Sequence, residues 1–106
     1  MIRQLQSEVA AWQRDLWPNY TDPARKALKF TEEAGEVAGA VIKMEGGFKD
    51  IDDLRGELGD AVISLVALAD AVGVDLETTI ADRWAQVRAR TYGQSRQDGR
   101  HDAAPS

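Results

Sequence analysis

Glu32, Glu33 and Glu36 crowd one short stretch of this chain, and Glu57 and Asp60 form a second acidic pair further along. Residues three or four apart share a helix face, where like charges repel. Carboxylates clustered in this way are destabilising unless something neutralises them. Oxygen-only ligands suit a hard cation, and Mg²⁺ keeps several waters while using a few carboxylates and substrate phosphates. Any one of these acids alone is an ordinary solvated residue. As a set they are not, because Asp60 opens a nearly uncharged run: from Ala61 to Val74 the only charge is Asp70. That placement predicts a poorly solvated Asp60. Di-iron bundles pair carboxylates with histidine in a Glu-x-x-His spacing. The single histidine here is His101, near the end of the chain, and there is no cysteine. The composition therefore excludes both a di-iron site and a thiolate site.

Four helices must position these acids. The first is expected over Ile2 to Leu16, with Leu5, Val9, Trp12 and Leu16 at helical spacing. Pro18 ends it. Asp22 followed by Pro23 starts the second, as N-cap and first helical residue. That helix runs to about Glu45, with a stripe of Phe30, Ala34, Val37, Val41 and Met44, and Gly46-Gly47 stops it. The third helix starts near Asp50 and runs to about Val72 before Gly73, with a stripe of Leu54, Leu58, Ala61, Leu65, Leu68 and Val72. It is apolar almost all round, which predicts cover on several sides, by its own chain and by a partner subunit. The fourth runs from Asp75 to about Tyr92. There is no strand-like alternation, so the expected fold is all-α, a four-helix bundle. Residues 1–93 form the expected domain, and residues 94–106, small and polar, an expected disordered tail.

At about 100° per residue, Glu33 and Glu36 fall beside the stripe of the second helix, and Glu57 and Asp60 beside that of the third. Two antiparallel helices joined by a short turn then bring the two pairs together at the edge of their seam.

The chain has 106 residues, one domain's worth, and is short for a deep core, so self-association would help it bury apolar surface. Hydrophobic residues at 43% and charged residues at 29% fit a globular protein. A net charge of −5 argues against nucleic-acid and membrane surfaces, which want a basic face. It does not exclude nucleotides, because a bound cation reverses the local sign. No apolar run reaches membrane-spanning length and the N-terminus has no signal-peptide core, so a cytoplasmic location is expected.

Glu32-Glu33-Ala34-Gly35-Glu36 and Glu57-Leu58-Gly59-Asp60 resemble the Glu-Glu-x-x-Glu and Glu-x-x-Asp motifs of MazG-like all-α pyrophosphohydrolases. The flanking Lys29-Phe30-Thr31 and Ala61-Val62-Ile63-Ser64-Leu65 are similar to the family too, and the likeness covers about residues 20 to 93. It implies hydrolysis of a nucleoside triphosphate to the monophosphate and pyrophosphate. It implies Mg²⁺ held by Glu33, Glu36, Glu57 and Asp60, and a dimer or tetramer. Glu32 and Glu33 are the implied catalytic glutamates, with Glu32 holding a second ion or orienting the attacking water. The family continues with basic residues, an Asn, and an Arg and Tyr near the end of the fourth helix. Here Arg83, Arg88, Arg90 and Tyr92 correspond, and Val87 stands where Asn is expected. Arg90 and Tyr92 are the implied substrate contacts.

Lys29 and Lys43 share the glutamates' side of the second helix. They either touch triphosphate oxygens or pair with the glutamates along the helix face. Trp17, Asn19 and Tyr20 form a loop that either covers a base by stacking or staples the first helix to the bundle. Trp12 and Trp84 are expected in the core, and Gly46-Gly47 is a turn rather than a phosphate loop. No residue in the sequence reads a base. The alternative function is a non-catalytic helical module that dimerises and binds a protein partner, which has no need of an intact acidic set.

Overall fold

The computed structural model describes the backbone of residues 1–98 and the side chains of residues 1–90. The described residues contain four α-helices and no strand: α1 (Ile2–Leu16), α2 (Pro23–Glu45), α3 (Ile51–Ala71) and α4 (Leu76–Asp98). The termini follow local chemistry. Asp22 accepts the Ala24 N–H at 3.0 Å with Pro23 behind it, which starts α2. Asp50 and Asp53 form a reciprocal capping box at the start of α3. Gly47 at φ 81° and Gly73 at φ 74° turn the chain after α2 and α3, in the left-handed region that a side chain disfavours. α4 continues through Gly93 to Asp98, beyond the expected stop, because a single glycine costs a helix only about 1 kcal/mol. His101 and the remainder of residues 99–106 lie outside the described residues.

The chain divides into two compact units, residues 1–76 and 77–106. In the first, α2 and α3 lie along one another and α1 packs on α3. Its apolar centre is small: Val9, Val66 and Ala67, with Leu5 and Leu76 packed against them. A buried Gln6 on α1 ties the α3–α4 connection, donating to the Val74 carbonyl at 2.7 Å and accepting the Leu76 N–H at 3.0 Å. Both polar ends of one buried amide are thereby satisfied. In the second unit, α4 carries Trp84 at 59% exposure, so it is not the core residue expected of it.

The buried faces differ from the expected stripes. On α2 the inward positions are Lys26, Phe30, Glu33, Val37, Ala40 and Met44, while Ala34 and Val41 point out. On α3 Leu58 and Val72 are about half exposed, whereas Glu57 is half-buried and Ser64 buried. The acids Glu33 and Glu57 therefore occupy the seam itself, not its margin. Among the described residues the cover of α3 is partial, with Leu58, Val62 and Ile63 at 48%, 48% and 40% exposure.

Candidate metal centre and adjoining cavity

Glu33 follows Phe30 by three residues and precedes Val37 by four, so the helical repeat turns it inward with them. Glu57 is turned inward on α3 between Leu54 and Ala61. Across the seam, carboxylate oxygens of Glu33, Glu36 and Glu57 all lie within 4.8 Å of one another. Glu33 Oε2 and Glu57 Oε2 are buried with no hydrogen-bond partner. A buried carboxylate oxygen left unpaired costs on the order of 1–3 kcal/mol or more, so two at one point mark a place built to receive a cation. An all-oxygen donor set of this kind fits a hard divalent ion such as Mg²⁺.

The electrostatics follow from the crowding. The proton of Glu36 is held above the ordinary glutamate range, first by hydrogen bonding with Glu57, then by the charges of Glu33 and Glu57. Lys29 supplies the local positive charge. Its Nζ is 3.1 Å from Glu33 Oε1 and 3.6 Å from Glu32 Oε1. Its pKa is raised, chiefly by the hydrogen bond to Glu33 and next by the charge of Glu32. Helix-face pairing of Lys29 with the glutamates is therefore present.

Beside the trio opens a cavity of about 950 Å³, within the size range of small-molecule sites. Its lining includes Glu33, Asp60 and Lys29 together with Trp12, Gln13, Trp17, Asn19, Tyr20 and Lys26. Glu33 thus belongs to both the trio and the cavity wall. Trp12 and Trp17, expected as core and loop, are 50% and 48% exposed and meet edge-to-face at 5.2 Å on this wall. The Trp17-Pro18-Asn19-Tyr20 turn is closed by Tyr20 N–H donating to Trp17 O at 2.9 Å, with proline at the position that a β-turn favours.

The family model of the MazG nucleotide pyrophosphohydrolase domain matches residues 23–91. The chain belongs to the MazG family. No curated protein and no solved structure matches it significantly. The MazG match takes in α2 and α3 with all five acidic positions, whereas α1 and the Trp17–Tyr20 turn, which form the aromatic wall, precede it.

Not every expected residue joins the MazG centre. Asp60 is exposed and outside the trio, although it lines the cavity with Glu33. Its expected poor solvation does not arise, because it points into the opening and not into the apolar part of α3. Glu32 is exposed, outside the trio, and engaged by Lys29. Lys43 is exposed and lines no part of the cavity; it stands seven residues beyond Glu36, roughly 10 Å along the axis. Arg90 is exposed on α4, in the second unit, and the Tyr92 side chain lies outside the described residues. Lys26 was missed. Its signal was available, since Lys26, Phe30 and Glu33 share one helical face, but a lysine is not expected inside.

No helix among the described residues is long and apolar enough to cross a membrane.

Proposed function

We propose that this chain hydrolyses a nucleoside triphosphate to the monophosphate and pyrophosphate with Mg²⁺. The observation that carries this is the sharing of Glu33 between a carboxylate trio with unpartnered buried oxygens and a nucleotide-sized cavity. Glu33, Glu36 and Glu57 hold the ion, with Asp60 joining from the cavity side, directly or through a water. A bound Mg²⁺ would polarise the phosphoryl oxygens and offset charge on the leaving pyrophosphate. Lys29, 3.1 Å from Glu33 Oε1 and on the cavity wall, would donate to the triphosphate oxygens. Glu32, next to Lys29 and outside the trio, orients the attacking water and takes its proton. Water oxygen bonds to the α-phosphorus, the bridge to the β-phosphate breaks, and the electron pair leaves with pyrophosphate. Arg90 and Tyr92 remain substrate contacts in this proposal, and Lys43 a secondary phosphate contact.

The exposed Ile51, Leu58 and Val62 on α3, with Leu28 and Ile42 on α2, are more apolar surface than a monomer of this size usefully leaves in water. The proposal therefore includes a homodimer or homotetramer, and an intracellular role on small nucleotides rather than on nucleic acid or membrane. The same surface is what favours the second reading, a non-catalytic interaction module.

A panel of nucleoside triphosphates incubated with Mg²⁺ and assayed for monophosphate and pyrophosphate tests the activity. Diphosphate plus orthophosphate would overturn the cleavage position, and no turnover at all would favour the interaction module. Light scattering at micromolar concentration tests the assembly, with a monomer as the contrary result.

A further inference from the structure

Lys26 is 7% exposed, and among the described residues no carboxylate pairs with it. Among the described residues its Nζ hydrogen-bonds Gln13 Oε1 alone, at 2.8 Å, and lies 4.9 Å from the centroid of the Tyr20 ring. An ammonium has three donors, so a buried one with a single neutral acceptor is left with hydrogen-bonding capacity unfilled. It lines the cavity. An unfilled buried donor facing a cavity calls for an acceptor from a ligand.

Its position argues for which part of the ligand. Lys26 precedes Glu33 by seven residues, about 10 Å along α2. Helix side chains lean toward the N-terminus, and this one is drawn to Gln13 and Tyr20, away from the trio. Phosphates held at Glu33 and Lys29 put the nucleoside, not the phosphates, beside Lys26. Trp12 and Trp17 supply stacking surface there. The Gln13 oxygen is already used by Lys26, which leaves its amide N–H groups as further donors. The Lys26 ammonium donates and cannot accept, so it suits a carbonyl oxygen rather than an amino group. Adenine alone among the common bases has none, and presents an amino group instead.

Resting on the proposed nucleotide chemistry, we propose that Lys26 is a specificity-determining residue, donating from Nζ to a carbonyl oxygen of the substrate's base and thereby selecting carbonyl-bearing bases over adenine. The test needs no turnover. Quenching of tryptophan fluorescence, in EDTA, measures binding of UMP, IMP and AMP to the whole chain; IMP and AMP differ chiefly by a carbonyl or an amino group at one ring position. UMP and IMP are expected to bind at least about tenfold tighter than AMP, as a charged hydrogen bond warrants. Lys26→Met should abolish that ratio. Because this variant also removes the tie to Gln13, Gln13→Glu is the second: it keeps the tie as an ion pair, should melt no lower than wild type, and should still erode the preference, because the carboxylate draws Lys26 to itself and the Gln13 amide donors are gone. Equal binding of IMP and AMP by the wild type, or an unchanged ratio in Gln13→Glu, would overturn the assignment. So would a parallel loss of all three ligands, which would make Lys26 a contact to sugar or phosphate. If the preference holds but no triphosphate is hydrolysed, the base contact stands and the proposed activity falls. If triphosphates turn over without base preference, the reverse is true.

Discussion

Glu36 on α2 and Glu57 on α3 meet across the helix seam with carboxylate oxygens within 4.8 Å, and Glu57 holds the Glu36 proton in place. A glutamate whose pKa is raised on folding binds more protons folded than unfolded, so stability falls as pH rises. The contribution is fully present below the unfolded value of about 4.3 and is lost as pH climbs through the higher folded value. Glu36→Gln removes the repulsion and the titration together. In EDTA the variant should melt above wild type at pH 7, with the advantage shrinking to nothing near pH 4. Thermal melts of both proteins across that range check it. A variant that melts lower than wild type at pH 7 would contradict the repulsion.

The same substitution removes a proposed metal ligand. With millimolar Mg²⁺, wild type should gain melting temperature by mass action on the folded state, and Glu36→Gln should gain much less. Pyrophosphate release should fall by about 100-fold or more, above what loss of an outer-shell partner costs, with helicity by circular dichroism unchanged. Near-normal turnover would remove Glu36 from the site.

In the proposed site Lys29 and Mg²⁺ would compete for Glu33. Lys29→Met should let Mg²⁺ bind several-fold tighter in the absence of nucleotide, since it removes a cation 3.1 Å from Glu33 Oε1. It should also raise KM for the triphosphate. Calorimetric titration with Mg²⁺ and steady-state kinetics separate the two effects. Weaker Mg²⁺ binding in Lys29→Met would mean that Lys29 orients Glu33 rather than competing for it.

Asp60 is exposed, so Asp60→Asn should leave the metal-free protein within about 0.5 kcal/mol of wild type. Turnover should still drop steeply if Asp60 serves the ion from the cavity side. Urea unfolding in EDTA together with the pyrophosphate assay is the measurement; full activity would confine the ligand set to the trio.

Gln6→Ala leaves the Val74 carbonyl and the Leu76 N–H without their partner. It should cost about 1–3 kcal/mol, read as a lower urea midpoint, with Mg²⁺ binding unaffected.

The sequence by itself determined the four helices and their ends, apart from that of α4, which runs on to Asp98. Asp22-Pro23, the Asp50 cap and the glycines at 47 and 73 act within a turn of their own positions, so their effect is written in neighbouring residues. It also picked out the acidic set, because the spacing within each helix places Glu33 with Glu36 and Glu57 with Asp60 on shared faces. Tertiary structure decided which of them meet. A shift of α2's buried face from Ala34 and Val41 to Lys26, Glu33 and Ala40 is only a small rotation about the axis. That rotation is set by what α1 and α3 bring against the helix, and it moves Glu33 from the margin of the seam into it. It also brings Lys26 inside. Hydrophobic periodicity cannot foresee a face that buries a lysine and a glutamate, because their burial is made tolerable by polar and aromatic partners that apolar spacing does not register. For Lys26 those are Gln13 and Tyr20; for Glu33 the nearest is Lys29, one turn away, and the rest is the opening shared with Glu57.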